Sequence, residues 1–159
     1  MLSFNHNGLL VPGNNIPSDI LELEKVFVTN IHTTKRRELF DNYLLYSKSL
    51  KELCNGIKIV QWIDGSFVTQ KSAPADINVV SFIDFSVIDV INDSLIDYKH
   101  PACQIIFGVD AYIVKIYPSD HKIYPLFLAD RAYWMSHFNR TRRNRIGNKL
   151  QKGFLEINM

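Results

Sequence analysis

Three apolar runs with the composition of β-strands most constrain what this chain can fold into. They are IKIVQWI at 57–63, DINVVSFI at 76–83 and QIIFGVDAYIVKIY at 104–117. β-Branched and aromatic residues dominate them, which is typical of strands. The second run is apolar on both faces, as a central strand is. The sequence therefore predicts a core sheet within residues 57–117.

The segment before these runs predicts helices after an irregular start. Residues 1–16 are rich in Gly, Asn and Pro and indicate a lead-in without regular structure. Pro17 suits the first turn of a helix that runs to about residue 29. Thr33 or Thr34 can cap a second, longer helix, and Gly56 is placed to end it.

Further helices are predicted over 86–96 and within LADRAYWMSHF, where the apolar residues recur at helical spacing. The order helix, helix, strand, strand, helix, strand, helix indicates an α/β (α+β) domain with a small mixed sheet flanked by helices. With 159 residues, of which 47% are hydrophobic, we expect one domain. Its parts are the lead-in and helices (1–56), the core sheet (57–117) and a C-terminal helix with a basic segment (118–159).

Composition excludes several classes of protein. Cys54 and Cys103 have no CxxC spacing and are interpreted as small buried hydrophobes, not a disulfide framework or zinc site. The N-terminus lacks a signal-peptide pattern, and no apolar run approaches the ~20 residues that span a bilayer. We therefore expect a cytoplasmic protein with no membrane partner. Dinucleotide, P-loop and Gly-x-Ser-x-Gly motifs are absent as well.

One constellation of residues could carry chemistry. Gly65-Ser66 follows the first strand, and glycine there permits close backbone approach to a phosphate while serine adds a hydroxyl. Asp76 and Asn78 lie two apart in the next strand, so both side chains project from one face. Asp110 lies inside the third apolar run. Oxygen ligands at such a spacing can hold a hard cation such as Mg²⁺, although a solvated strand residue is an equal alternative for Asp110 alone.

In order and spacing, Gly65-Ser66, Asp76-x-Asn78 and Asp110 resemble the nucleotidyltransferase fold of the DNA polymerase β superfamily. Over nearly the whole chain, the stretches GLLVPG, WIDGSFVTQKSAPADINVV, YWMSHF and KGFLEI look like a family of small prokaryotic nucleotidyltransferase-like proteins.

The resemblance implies binding of a nucleoside triphosphate with Mg²⁺ or Mn²⁺. The protein would then transfer a nucleoside monophosphate to a hydroxyl of a protein or nucleic acid. Asp76 and Asp110 would be catalytic metal ligands, and Asn78 a further ligand. Gly65 and Ser66 would cradle phosphates, and Lys71 could offset the triphosphate charge.

Asn78 departs from the superfamily pattern, which has aspartate there. An amide oxygen can coordinate Mg²⁺ but brings no negative charge, so metal affinity and catalysis should fall. Two hypotheses follow. One is a weakened or one-metal enzyme. The other is a catalytically degenerate binding protein acting with a partner, of toxin–antitoxin or phage-defence type.

Residues 139–152 contain six basic and no acidic residues: Arg140, Arg142, Arg143, Arg145, Lys149 and Lys152. Such a run could bind a nucleic acid or a triphosphate tail. The alternative is a solvated flexible loop, which the lack of aromatic residues between the arginines favours.

Overall fold

The computed structural model of the chain describes residues 1–143 and 145–159, so Asn144 in the basic run lies outside the described residues. A two-stranded antiparallel sheet comes first, from β1 (Ser3–Phe4) and β2 (Leu10–Val11). The other elements follow in chain order: β3 (Asn15–Ser18), α1 (Ile20–Glu24), α2 (Thr34–Leu53), β4 (Val60–Asp64), β5 (Asn78–Asp84), α3 (Phe85–Ile91), α4 (Ala102–Phe107), β6 (Asp110–Ile116), α5 (Tyr124–Phe138) and β7 (Phe154–Asn158). The predicted mixed sheet flanked by helices is confirmed.

The larger sheet has five strands in the order β3-β7-β4-β5-β6. The pairs β3–β7 and β5–β6 are parallel, and the other two pairs are antiparallel. The prediction that the sheet lies within residues 57–117 is wrong, because the lead-in contributes β3 and the C-terminal segment contributes β7. Both strands are short, and their pairing joins opposite ends of the chain, which local composition does not reveal.

Each face of the sheet has its own core, because side chains alternate along the strands. Ile63, Val79 and Ala111 pack with the apolar stripe of α2. On the opposite face, Trp62 and Val80 pack with Phe138 of α5 and with Phe154 of β7, among others. Alternation along β5 places Asn78 on the same side as Val80, which is the α5 face.

The helix starts were predicted with mixed success. Thr33 caps α2 as expected, accepting a hydrogen bond from the amide of Arg36 at 3.3 Å. Pro17, however, lies in the edge strand β3, where its missing N–H costs no ladder bond. Asp19 caps α1, accepting from the amide of Glu22 at 2.8 Å. The prediction that Pro17 opens the helix is therefore wrong.

The third apolar run divides into a helix and a strand. Gln104 to Phe107 belong to α4, Gly108 ends that helix in the left-handed conformation with φ +70°, and the strand begins only at Asp110. The prediction of strand from residue 104 is wrong because a short apolar run has the same composition in a buried helix. The helix predicted over 86–96 is α3 followed by a 3₁₀ segment, Asn92–Tyr98. Among the described residues, no helix combines the length and apolarity needed to cross a bilayer.

Candidate anion-binding site

Three polar residues stand side by side where β4, β5 and β6 reach one end of the sheet. Asp64 pairs in register with Asn78, and Asn78 with Asp110. Paired residues of neighbouring strands project to the same side, so all three lie on the α5 face. Asp76 lies two positions before the start of β5, at the same end. The fold thus brings the sequence-predicted residues Asp76, Asn78 and Asp110 to one end of the sheet.

Asp76 holds the Gly65-Ser66 turn. Its Oδ1 accepts hydrogen bonds from the Ser66 amide at 2.9 Å and the Ser66 hydroxyl at 2.8 Å. That hydroxyl in turn accepts from the Ala75 amide at 2.8 Å. The other carboxylate oxygen, Oδ2, lies 3.3 Å from Nη2 of Arg142. A phosphate that approached Ser66 would therefore compete with Asp76 for its two donors.

Gly65 and Asn78 are packed against each other. Gly65 has φ +90°, and a Cβ built on it would lie 2.6 Å from Oδ1 of Asn78, so only glycine fits. Asn78 Oδ1 is buried without a hydrogen-bond partner among the described residues. Its Nδ2 donates to Oδ2 of Asp110 at 3.4 Å. An amide beside a carboxylate turns its NH₂ group toward it, because two facing oxygens would repel.

Asp110 is held from its other side by His100. Its Oδ1 lies 2.9 Å from Nδ1 of His100, whose ring stacks on Tyr112 with centroids 5.5 Å apart and planes at 13°. Both oxygens of Asp110 therefore have partners within the chain.

These contacts decide how well the residues fit the metal site that the resemblance implies. The carboxylates of Asp76 and Asp110 are hydrogen-bonded to side chains, and Asn78 turns a donor toward Asp110 where Mg²⁺ or Mn²⁺ requires an oxygen. Within the described residues, no group of three His, Cys, Asp or Glu side chains could hold a metal ion. The arrangement does not fit a two-metal centre.

A cavity of about 430 Å³ opens beside the Gly65-Ser66 turn. Two acidic residues line it, Asp64 and Asp76, together with five basic ones: Lys71, Arg140, Arg142, Lys149 and Lys152. The lining thus carries a formal excess of three positive charges. Asp110 is not part of this lining, whereas Lys71, Gly65, Ser66 and Asn78 are. Chemically, the arrangement favours an anion over a cation.

The basic arm, residues 139–152, brings four of these cations to the cavity. Its two sides pair with each other at the base, through Lys152 N to Asn139 O at 2.9 Å and Thr141 N to Leu150 O at 2.8 Å. A bridge between Arg140 and Gln151 lies between those bonds. The base of the arm is therefore hydrogen-bonded structure, and the solvated-loop interpretation does not describe it.

A buried ion pair ties the arm to the end of β4. Nζ of Lys152 bonds Oδ1 of Asp64, with side chains only 7% and 9% exposed. Burial raises the pKa of Asp64 to about 6, although the Lys152 ammonium acts in the opposite direction. Sequence reasoning missed Asp64. Its position directly before Gly65 could have indicated a role in the site. Its partner, Lys152, lies in the basic arm and is brought to it only by the tertiary fold.

Arg36 is a second residue that sequence reasoning missed. From α2, its fully buried guanidinium donates to the carbonyl oxygens of Phe27, Phe67, Thr69 and Lys71 at 2.5 to 3.1 Å. Burial lowers its pKa to about 10. Arg36 thereby fixes the loop that carries Lys71 into the cavity. Its local sequence, TTKRRE, has no feature that distinguishes it from an exposed helical arginine.

Residues 2–158 match the family of unknown function DUF6932. No curated protein and no solved structure matches the chain.

Proposed function

Because the chain belongs to DUF6932, a family of unknown function, we propose its function from its own cavity: it binds a nucleoside triphosphate without transferring the nucleotide. One observation carries the proposal. Lys71 from the loop, and Arg140 and Lys149 from the basic arm, line one cavity, and no described carboxylate forms an ion pair with them. Three such cations around one space favour a multiply charged anion.

The size and shape of the cavity support a nucleotide as that anion. Small-molecule sites occupy roughly 300–1,000 Å³, and this cavity measures about 430 Å³. The exposed imidazole of His137 lines one wall and offers a flat face to a base. The nucleotidyltransferase fold that Gly65-Ser66 and its neighbours resemble also favours a triphosphate. Its phosphates would contact the basic residues here, because Asp76 occupies both donors of Ser66.

Binding without transfer follows from the contacts of Asp76 and Asp110. Nucleotidyl transfer uses two metal ions held by carboxylates. Here Asp110 is committed to His100 and Asn78, and Asp76 to Ser66. Mg²⁺ would enter as the counter-ion of the triphosphate, and the basic residues of the cavity would supply the remaining positive charge.

Titration calorimetry with ATP, GTP, CTP and UTP tests the proposal, with inorganic triphosphate and a nucleoside as separate probes. Lys71→Gln and Lys149→Gln should each weaken triphosphate binding about tenfold, equivalent to ~1.4 kcal/mol. Arg143→Gln is the matched control, because it removes one charge from the same arm outside the cavity. It should leave the Kd unchanged.

Two results would contradict the proposal. Equal weakening by Arg143→Gln and Lys149→Gln would mean a diffuse attraction for anions and no defined site. Release of pyrophosphate by the unaltered protein with Mg²⁺ and an acceptor would show that transfer does occur.

A further inference from the structure

The positive surface of the cavity continues beyond it. Arg143 and Arg145 are exposed on the basic arm and do not line the cavity. A triphosphate inside the cavity would leave both without an anion. We propose that the cavity binds the 5′-triphosphate end of a single-stranded nucleic acid and that the arm binds the phosphates that follow. This extends, and rests on, the triphosphate site proposed above.

The base of the arm is held against the sheet beside the cavity. The backbone pairs at Asn139–Lys152 and Thr141–Leu150 hold it, and the buried contact of Lys152 with Asp64 anchors it to the sheet. Cavity-lining cations lie on both sides of the arm, and Arg143 and Arg145 lie between them in the chain, toward its tip. The exposed Arg143 and Arg145 are therefore carried by the same arm as the lining cations.

An exposed aromatic pair borders the same cavity. Tyr133 and His137, one helical turn apart on α5, stack with centroids 5.9 Å apart and planes at 13°. Tyr133 is 59% exposed, and His137 lines the cavity. Parallel exposed rings are suited to stacking on unpaired bases. The faces of the bases are stacked inside a duplex and are not accessible to these rings. An acidic protein offers no bases at all. The two exposed rings therefore favour a single-stranded nucleic acid.

The cavity also determines which part of the strand it would accept. A volume of about 430 Å³ suits one nucleotide better than a base pair. A nucleic acid carries a triphosphate only at its 5′ end, so the strand would enter by that end. The arm lacks aromatic residues and would contact phosphates alone, which predicts strong salt dependence and little sequence preference.

Fluorescence anisotropy with short unstructured oligonucleotides tests the proposal. The probes carry a 5′-triphosphate, a 5′-monophosphate or a 5′-hydroxyl, each as RNA and as DNA. The 5′-triphosphate strand should bind at least about tenfold more tightly than the 5′-hydroxyl strand. The double variant Arg143→Gln/Arg145→Gln should weaken strand binding about tenfold. It should also reduce the slope of log Kd against log salt by roughly 1.4, for two lost phosphate contacts.

The controls separate this proposal from the triphosphate site. ATP affinity should be unchanged in Arg143→Gln/Arg145→Gln. The pair Lys48→Gln/Lys58→Gln removes the same charge from exposed positions outside the arm and cavity, so it should change neither affinity. If ATP binds but all strand ends bind equally, or duplex binds as well as single strand, the further proposal is overturned and the triphosphate site stands. If neither ATP nor any strand binds, both fail.

Discussion

Replacing Asn78 with aspartate tests why the end of β5 holds an amide. Asn78→Asp converts a hydrogen bond into a repulsion, because Nδ2 of Asn78 lies 3.4 Å from Oδ2 of Asp110. Gly65 packs against the other side of the amide, so the new carboxylate could not swing away from Asp110. The introduced charge would have to be tolerated, protonated or neutralised by a cation.

The size of this repulsion follows from the distance. At an effective dielectric constant of about 20, two unit charges 3.4 Å apart repel by about 5 kcal/mol. Proton uptake by the pair reduces that cost. We expect Asn78→Asp to lower the free energy of unfolding by about 2–4 kcal/mol in EDTA. A divalent cation between the carboxylates would reverse the loss, by about 2.7 kcal/mol at one hundred times its Kd.

Urea unfolding in EDTA and in Mg²⁺ or Mn²⁺ measures both effects. The double variant Asn78→Asp/Asp110→Asn has the net charge of the unaltered protein and one carboxylate at this pair. It should recover most of the stability in EDTA and should gain little from the cation. The reasoning would be refuted if Asn78→Asp lowered the free energy of unfolding by less than about 1 kcal/mol. It would also be refuted if that free energy were the same in EDTA and in the divalent cation.

Two further predictions concern buried charges. Burial raises the pKa of Asp64 to about 6, above the ~3.9 expected in the unfolded chain. The folded state therefore binds this proton more tightly, and the contribution of Asp64 to stability is complete below about pH 4 and lost as the pH rises through about 6. The unfolding free energy of the protein minus that of Asp64→Asn should fall over this range, and a constant difference would contradict the assignment. Arg36→Met leaves four carbonyls without their donor and should cost about 4 kcal/mol in urea unfolding. Arg36→Lys should recover only part of it, and a loss under about 1 kcal/mol for Arg36→Met would count against the role of Arg36.

Local sequence was sufficient to predict the elements that depend on composition or on contacts within a few residues. The composition of β4 and β5 identified both strands. Thr33 was one of the two residues, with Thr34, that the sequence offered as the cap of α2, because a capping hydroxyl acts on its own first turn. Local sequence was insufficient for β3 and β7, which pair across almost the whole chain. It was also insufficient for α4, whose apolar residues would suit a strand equally well.

The candidate site also combines features set by local sequence with features set only by the tertiary structure. The sequence by itself determined the Gly65-Ser66 turn, because it depends on the dihedral freedom of glycine. The prediction that Asp76 and Asn78 share one face of a strand is wrong, because β5 begins at Asn78 and Asp76 bonds to Ser66 ahead of it. Only the tertiary structure decided that the site is basic, since the arm reaches the cavity through Lys152 and Asp64, 88 residues apart. Burial and ion pairing act between neighbours in space, and no local pattern in either segment specifies its partner.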